Sequence, residues 1–324
     1  MAKLRRATRS ALSDAASLRL RAAWLYYSHG LTQKEIAEQL GVGRTTVIGM
    51  LDEALKRGEI RFWIEEGEAR CTELAVKLER ALRLDEAIVT PAAKDVEQTA
   101  KAVGLALGKF LSEAIADSMT IGVGWGRTLT ASLASFLPAR RRNVTVMSLL
   151  GGAIETRFAN PIDYSWRLAS LLGAECYLFP APLVVDSAET KRRLIEKCGL
   201  DRLYVLAQRL DLAVVSVGDI GGKGSSLARH LVTDKELSEL TALGCVGDIM
   251  CNFLDKNGET LRHPVNERIM SIDLETLGKA GHIVIAWRRP SRSGDWRGDQ
   301  KDRLQYIGDR RERGARDLGV GLRS

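Results

Sequence analysis

The sequence predicts an α/β protein with two domains. An all-α helix-turn-helix domain (the head) is expected over residues 1–68, and a Rossmann-like parallel-sheet domain (the body) over residues 69–286. Two observations predict this organisation. Two short stretches with apolar residues at helical spacing flank Gly41-Val42-Gly43. From residue 87 onward, short apolar stretches typical of buried strands alternate with amphipathic helices, which favours right-handed βαβ units.

Residues 31–58 carry the helix-turn-helix pattern. Thr32 is placed to cap the first helix, and Glu35 three positions later would complete a capping box. That helix ends near residue 40, where two glycines suit a tight turn. The second helix begins near Arg44 and ends before Gly58. The expected core consists of Ile36, Ala37, Leu40, Val47, Met50, Leu51 and Ala54, together with Leu20, Ala23, Trp24 and Tyr27 of a supporting helix over residues 18–29.

The exposed start of the second helix predicts a DNA-reading surface. In this motif the second helix enters the major groove, and its first residues reach base edges and phosphates. The Arg44 guanidinium can bind a guanine edge or a phosphate. An ordinary helical hairpin with a solvated face is the alternative. The candidate DNA-contacting residues are Thr32, Gln33, Arg44, Thr45, Thr46, Ile48 and Gly49.

The charge distribution agrees with a head that binds DNA. Residues 1–62 carry 11 Lys or Arg against 6 Asp or Glu, a net charge of +5, and residues 287–324 carry the same numbers. The residues between them carry 26 against 29, so that the whole chain has a net charge of +7. A basic head on a slightly acidic body is typical of a nucleic-acid-binding domain joined to a domain with another task. Lys3, Arg5, Arg6 and Arg9 either add phosphate contacts or belong to an arm without a role.

Composition argues against several other classes. No apolar run reaches the ~18 residues of a membrane-spanning helix, and no apolar region follows the N-terminal arginines as in a secretory signal. The five cysteines are scattered without a Cys-x-x-Cys pair, which indicates reduced thiols in a cytoplasmic protein. The four histidines show no metal-ligand spacing, so we expect no metal and no cofactor.

Three glycine-bearing loops are predicted at the carboxyl ends of strands, where ligands bind in open parallel sheets. They are residues 122–128, 151–152 and 218–225. In the first loop, Gly122, Gly124 and Gly126 would let backbone N–H groups approach an anion, and Thr128 would open a helix whose N-terminus favours negative charge. The loop lacks the spacing of a Walker or dinucleotide site. Its glycines serve packing alone in the alternative interpretation.

Three charged residues are further candidates for contacts with a ligand. Asp219 comes directly after a predicted buried strand, and Asp248 has a similar position. Each could accept hydrogen bonds from sugar hydroxyls, or could instead cap a helix or a turn. Arg268 is a candidate for binding a phosphate or a carboxylate.

These motifs resemble those of the SorC/DeoR-type sugar-binding transcriptional regulators. The resemblance covers residues 18–286 and rests on GLTQKEIAEQLGVGRTTVIGML, IGVGWGRTL, SLLGG, Asn160-Pro161, LGAECYLFPAP, VVSVGDIG and VGDIMCNFLDKNG with Asn266 and Arg268. The family's body is similar to ribose-5-phosphate isomerase and glucosamine-6-phosphate deaminase folds. The resemblance implies operator DNA, a sugar, polyol or sugar-phosphate effector, and usually a homotetramer. It implies that the effector pocket is lined by Gly124, Trp125, Gly126, Arg127 and Thr128 with Asp219, Asp248 and Arg268; the loop argument adds Gly122, Gly151 and Gly152.

The isomerase-like fold raises an enzymatic alternative. The related isomerases use acidic residues and a lysine near the loop after a central strand, which is VGDIGGKGSS here. Asp219 and Lys223 are present, but a second acidic residue is missing, and general acid–base catalysis needs two poised groups. We therefore expect no catalytic residues and a transcriptional regulator, taken as a repressor, of a carbohydrate or polyol catabolic operon. A sugar-phosphate isomerase or deaminase is the alternative.

Residues 287–324 depart from the pattern of the family. Its members continue after the last strand with a glycine loop, a helix, a further strand and a Thr-Asp-Glu segment, whereas this segment has ten arginines and no clear periodicity. With codons chosen freely and read one nucleotide later, residues 287–311 can give GGGPAAAAIGAAIKKTGFNTLVTDE. We hypothesise a frameshift near Trp287, which would leave a disordered basic tail and a regulator without effector response. A deliberate tail that adds nonspecific DNA affinity is the alternative.

Overall fold

A computed structural model describes residues 15–57, 59–60, 66–91, 96–153, 160–220, 231–288 and 305–311. The chain divides into two compact units, Met1–Glu65 and Glu66–Ser324. This division lies close to the predicted boundary after residue 68. The basic residues of the predicted N-terminal arm lie outside the described residues. Within the described ranges, no helix combines the length and apolar character that crossing a membrane requires.

Three helices form the head: α1 (Ala15–Tyr27), α2 (Gln33–Leu40) and α3 (Arg44–Lys56). The predicted capping box is present, since the Glu35 N–H donates to the Thr32 hydroxyl (3.3 Å) and the Thr32 N–H donates to the Glu35 carboxylate (2.8 Å). Gly41 ends α2 with a φ of 67°, a left-handed conformation that favours glycine. The fully buried side chains of the core are those of Ala22, Ile36, Val47 and Ala54. The helix-turn-helix prediction is confirmed.

Helix α1 buries only part of the face that its apolar pattern predicts. The expected core positions Leu20, Trp24 and Tyr27 are exposed at 48, 63 and 39%. Apolar side chains occupy nearly every face of α1, so their spacing does not select the buried one. Ala23, which was an expected core position, is buried and faces the core together with Ala22. These small side chains let the backbone of α1 approach the other two helices closely.

The body contains nine strands and nine helices within its described residues. The strands are β1 (Glu86–Val89), β2 (Thr120–Val123), β3 (Thr145–Ser148), β4 (Glu175–Tyr177), β5 (Leu212–Asp219), β6 (Gly247–Ile249), β7 (Asn252–Leu254), β8 (His282–Arg288) and β9 (Gln305–Arg311). The helices are α4 (Glu66–Leu82), α5 (Val96–Ala114), α6 (Arg127–Ser132), α7 (Pro161–Leu172), α8 (Ala188–Lys197), α9 (Asp201–Ala207), α10 (Asp234–Ala242), α11 (Pro264–Arg268) and α12 (Leu274–Leu277).

The strands form one sheet whose main path is β1-β9-β8-β5-β2-β3-β4. Strands β8, β5, β2, β3 and β4 are parallel to one another, as the sequence predicts. Strands β6 and β7 form an antiparallel hairpin that pairs with the end of β5. The carboxyl ends of β2, β3 and β5 therefore meet at one edge of the sheet, where ligands bind in open parallel sheets.

The two faces of the sheet are covered by separate cores. Along β5, Ala213 and Val215 face one core and Val214 faces the other. Side chains of α5, α6 and α7 pack on the face of Val214. Side chains of α9, α10, α12 and the β6–β7 hairpin pack on the opposite face. The continuous apolar character of β5 follows from this burial on both sides.

Three elements of the body differ in extent from the sequence prediction. Helix α6 ends at Ser132, although its apolar pattern continues to Phe136. The helix expected over residues 189–208 is divided into α8 and α9, and Gly199 between them has a φ of 77°. The stretch from residue 246 to 254 is not one strand but the β6–β7 hairpin.

The C-terminal segment differs from the disordered tail that the frameshift hypothesis predicts. Strand β8 extends to Arg288, and β9 pairs antiparallel with both β8 and β1. The sheet thus continues beyond the expected end of the body at residue 286. Backbone groups make the ladder hydrogen bonds of a strand, so a segment rich in arginine can still occupy this position.

Candidate functional site

The start of α3 carries the predicted DNA-contacting surface. The residues exposed there are Arg44, Thr45, Thr46, Ile48 and Gly49. Val47, in the same turn, is fully buried. It therefore anchors the first turn of α3 to the head while its neighbours face solvent. Ile48 is an apolar side chain with an exposed fraction of 44%, which suits contact with a thymine methyl group.

A depression of about 760 Å³ lies beside the start of α2 and the start of α3. It is lined by Tyr26, Gly30, Leu31, Thr32, Gln33, Lys34 and Arg44. The structure thus brings three predicted residues, Thr32, Gln33 and Arg44, to one surface. Sequence reasoning missed Tyr26 and Lys34. A lysine in the first turn of α2 is a signal that could have been used, because phosphates are commonly contacted from such positions.

The capping box restricts what Thr32 can bind. Its hydroxyl accepts the Glu35 N–H and donates to the Glu35 carboxylate (2.7 Å), and its own N–H donates to the same carboxylate. The hydrogen bond from the Thr32 backbone is the main cause that lowers the pKa of Glu35. Both donors of Thr32 are therefore engaged, and a phosphate contact would break the box. Thr32 is thus the helix cap that the sequence predicted, and its DNA contact remains a prediction.

The predicted anion cradle is wrong at two glycines of the first loop. Gly122 lies within β2, where a Cβ atom would lie 2.7 Å from a Leu149 methyl and 2.8 Å from a Leu210 methyl. The Gly124 N–H donates to the carbonyl of Val214 (2.8 Å). Gly122 therefore provides space for the core, and the Gly124 N–H belongs to the sheet.

Gly126, Arg127 and Thr128 form the end of this loop, where α6 begins. Gly126 has a φ of 140°, and a Cβ atom there would lie 2.7 Å from the hydroxyl of Ser216. Arg127 and Thr128 are half-buried at the start of α6. Since α6 has only six residues, its macrodipole adds little to anion binding. A ligand contact here depends on the two side chains themselves.

Trp125 connects the loop to its neighbours. The indole is buried, and the Trp125 carbonyl accepts a hydrogen bond from the Ser216 hydroxyl (2.7 Å). Cys251, in the β6–β7 hairpin, is also fully buried in the same core as Trp125. Burial raises the pKa of Cys251 well above its ordinary value, so that the thiol is neutral at physiological pH. The sequence did not single out Ser216 or Cys251.

The β6–β7 hairpin holds Asp248 against the end of the sheet. Asp248 is buried, and its carboxylate accepts the Cys251 N–H (3.0 Å). Met250 and Cys251 have φ angles of 51° and 63°, the left-handed conformations that glycine and asparagine usually provide in two-residue hairpin turns. The Asn252 amide donates to the carbonyl of Ile249 (3.2 Å) and steadies the same turn. Asp248 thus supports the hairpin turn, which is one of the two roles that the sequence left open, and its contact with an effector remains a prediction.

Gly151 and Gly152 let three chain segments approach one another. The Gly151 N–H donates to the carbonyl of Met270 (2.8 Å), and the Gly152 N–H donates to that of Ala181 (2.9 Å). A Cβ atom at Gly151 would lie 2.5 Å from the Ala181 carbonyl oxygen. Both N–H groups are engaged within the chain, so these glycines serve close packing of the backbone, and their contact with an effector remains a prediction.

Part of the predicted pocket lies outside the described residues. The backbone of Asp219 ends β5 and pairs with Gly247, one residue before Asp248. The side chain of Asp219 is not among those described, nor are residues 221–230 with Lys223. The acidic residue and the lysine that would support the enzymatic alternative therefore have no described geometry.

Arg268, at the end of α11, forms an ion pair with Glu236 of α10. The two side chains are exposed at only 24 and 22%. Burial opposes ionisation of Glu236, but hydrogen bonds from Thr233 and the charge of Arg268 outweigh it and lower the pKa of Glu236. The guanidinium that the sequence assigns to an effector anion is thus paired with a carboxylate of the chain itself.

Two further polar residues join the hairpin to the loop of Gly151. The Asn252 amide donates to the Ser271 hydroxyl (3.2 Å), and the Ser271 backbone bridges that of Leu150. Sequence reasoning missed Asn252 and Ser271, although polar residues inside apolar strands are a usable signal. Within the described residues, no group of three or more His, Cys, Asp or Glu side chains could hold a metal ion.

Family models match both domains of the chain. A model described as "Putative sugar-binding domain" matches residues 68–287, and a model described as "Homeodomain-like domain" matches residues 14–59. The first match covers more than half of the chain. The chain belongs to this sugar-binding family. The Gly126–Thr128 loop, Asp248 and Arg268 all lie inside the matched sugar-binding domain.

Several relatives within the sugar-binding family are named as regulators. The chain is 27% identical over 272 residues to the erythritol catabolism regulatory protein EryD of Brucella abortus, which covers 83% of this chain and 86% of the relative. It is 27% identical over 281 residues to the sorbitol operon regulator of Klebsiella pneumoniae, with 84 and 88% covered. These names confirm the resemblance to SorC/DeoR-type regulators.

Solved structures of the sugar-binding family confirm the fold class. Full-length sorbitol operon regulator SorC from Klebsiella pneumoniae superimposes with a TM-score of 0.61 at 24% identity, over 84% of this chain and 89% of that chain. A DeoR family transcriptional regulator from Listeria monocytogenes gives a TM-score of 0.61 at 22% identity, over 67 and 86%. The α/β architecture with an N-terminal helix-turn-helix is therefore that of the family.

Proposed function

We propose that this protein is a DNA-binding transcriptional regulator of a carbohydrate or polyol catabolic operon. The observation that carries the proposal is the exposed start of α3, anchored by buried Val47, in a chain that also carries the sugar-binding domain of the family. The names of relatives that regulate erythritol and sorbitol metabolism support a carbohydrate or polyol operon.

DNA is read by the head. Arg44, Thr45, Thr46, Ile48 and Gly49 lie at the base edges of the major groove, and Gln33 and Lys34 lie at the phosphates beside it. Such heads bind paired half-sites, one for each copy. We therefore propose a homo-oligomer, a tetramer as the resemblance implies, bound to operator DNA with repeated half-sites and acting as a repressor in the cytoplasm.

The effector is a sugar, polyol or sugar phosphate bound in the body. Gly126, Arg127 and Thr128 form one wall of its pocket, and Asp219, Asp248 and Arg268 supply polar groups at the neighbouring strand ends. The effector changes transcription only if it binds the DNA-competent and DNA-incompetent arrangements with different affinity. This role requires no cofactor, no metal and no catalytic residues.

Fluorescence anisotropy on DNA from upstream of the gene and its neighbours tests the proposal. The salt dependence separates phosphate contacts from base readout, and a panel of sugars, polyols and their phosphates is then added. Tight, sequence-dependent binding that one compound releases or strengthens supports the regulator and names its effector. Specific binding that no compound alters points to a body without effector response. Absence of specific binding, or turnover of a panel compound, overturns the proposal.

A further inference from the structure

Helices α10 and α11 are joined by two pairs of side chains. Arg268 of α11 pairs with Glu236 of α10. One turn further along α10, the Glu239 carboxylate lies 3.2 Å from Nε2 of His263, whose ring precedes α11. Nδ1 of His263 accepts the Val265 N–H (3.3 Å), so Nε2 carries the proton and donates to Glu239. The first turn of α10 and its middle are thus held to α11 by separate contacts.

The two carboxylate oxygens of Glu236 accept hydrogen bonds from different residues. Oε2 accepts the Thr233 N–H (2.8 Å) and the Thr233 hydroxyl (2.9 Å), which completes the capping box of α10. Oε1 alone accepts from the Arg268 guanidinium. Arg268 can therefore exchange its partner while the capping box stays intact. Such an exchange replaces one oxyanion on the guanidinium by another, which limits its cost.

Arg268 lies in a chain segment whose backbone is hydrogen-bonded to two other segments of the body. Its carbonyl accepts the Val185 N–H (3.0 Å). Two residues further on, the carbonyl of Met270 accepts the Gly151 N–H (2.8 Å). A guanidinium presents a planar fork of donors that matches a carboxylate or a phosphate. Glu236 supplies that carboxylate in the present arrangement, at a position that is three-quarters buried.

We propose that Glu236 is an internal competitor for the anionic group of the effector. A sugar phosphate or sugar acid displaces the Glu236 carboxylate from Arg268 and takes its place on the guanidinium. The first turn of α10 is then released from α11, while the Glu239–His263 pair retains the middle of the helix. This inference rests on the proposed function and narrows the effector to an anion, because a neutral polyol has no group that can replace the carboxylate.

Binding of inorganic phosphate to the full-length protein provides the test. Phosphate is titrated calorimetrically against chloride at equal ionic strength in wild type, E236Q, R268Q and E239Q. Glutamine also serves in a capping box, so E236Q keeps the start of α10. We expect E236Q to bind phosphate about tenfold more tightly than wild type, since its guanidinium is no longer paired with a charge. R268Q should lose the binding, and E239Q, the matched control on the same helix, should resemble wild type.

Hydrogen exchange of the α10 amides supplies a second readout. Phosphate should accelerate exchange in the first turn of α10 in wild type, whereas E236Q should exchange rapidly without phosphate. Equal or weaker phosphate binding by E236Q, or no phosphate binding by either protein, overturns the inference. The operator-binding assay is run separately on the same variants. Absence of operator binding in wild type counts against the proposed regulator. If operator binding is intact but E236Q binds phosphate no more tightly than wild type, only the role of Glu236 is rejected.

Discussion

Arg19 of α1 forms an ion pair with Glu59, in the segment after α3. The Arg19 Nε donates to Oε2 of Glu59 (2.7 Å), and a terminal nitrogen of the same guanidinium donates to Oε1. The two side chains are exposed at only 10 and 23%. The pair therefore fastens the first helix of the head to the chain that leaves the recognition helix. A charge so little exposed to water depends on its partner.

Replacing Arg19 should loosen the head. Arg19→Met preserves the length and much of the apolar contact of the side chain but removes the partner charge of Glu59. We expect a lower unfolding temperature of the head and faster hydrogen exchange in α1. Arg21→Met is the control, since Arg21 lies on the same helix and is exposed. Equal exchange rates in the two variants would show that the Arg19–Glu59 pair does not hold α1.

The same pair should make the head sensitive to acid. The hydrogen bond from Arg19 is the main cause that lowers the pKa of Glu59 below its ordinary 4.5. A carboxylate with a lowered folded-state pKa stabilises the fold above its unfolded pKa, and this contribution is lost as the pH falls through the folded value. Thermal unfolding from neutral to acidic pH should show this loss in wild type. In Glu59→Gln the same component should be absent, and identical pH profiles would contradict the assignment.

The head was largely predictable from sequence because its signals are local. Thr32 and Glu35 form their capping box across three residues, and the glycine turn follows at once. The exposure of Trp24 was not predictable, because α1 has apolar side chains on nearly every face. Only its packing against α2 and α3 selects the face that is buried. Local rules therefore located the motif but not the orientation of its first helix.

In the body, the alternation of strands and helices along the chain was predictable from sequence, but the contacts made by the loops were not. Alternation of strands and helices indicated the parallel sheet. In contrast, the role of Gly151 depends on the Ala181 carbonyl, and that of Arg268 on Glu236, 32 residues away. Glycine and arginine at strand ends suit a ligand and a neighbouring segment equally well. Only the tertiary contacts distinguish the two.

Substitutions at Arg44 and Lys34 should have different effects on DNA binding, because the first residue is proposed to read a base and the second to contact a phosphate. Arg44→Ala should cost about 1–3 kcal/mol of specific affinity and relax the sequence preference at one base position. Lys34→Ala should weaken binding to all sequences alike and reduce the salt slope by about 1. Arg57→Ala is the control, because Arg57 follows the far end of α3 and pairs with Glu53. Anisotropy titrations at several salt concentrations measure all three. A loss in Arg57→Ala as large as in Arg44→Ala would contradict the docking of α3.

Two glycine substitutions distinguish packing from ligand contact in the body. Gly151→Ala places a Cβ atom 2.5 Å from the Ala181 carbonyl oxygen and should destabilise the body by about 1–3 kcal/mol. At Gly124 the nearest atom would lie 3.5 Å away, so Gly124→Ala should fold with nearly wild-type stability. Denaturant unfolding measures both, and effector titration follows for Gly124→Ala. If Gly124→Ala is stable but loses the effector response, Gly124 contributes to the effector pocket. If the response is unchanged, the role of Gly124 is confined to the sheet.

The frameshift hypothesis makes a prediction about the sheet. The shifted reading ends in FNTLVTDE over residues 304–311, the positions at which Gln305–Arg311 forms β9 between β1 and β8. A segment with Phe, Leu and Val suits a strand in a sheet covered by helices better than QYIGDRR does. A chain with the shifted reading restored should therefore unfold at a higher temperature and respond more strongly to effector. The nucleotide sequence is the first measurement: codons after Trp287 that cannot yield the shifted reading would refute the hypothesis and leave a deliberate basic tail.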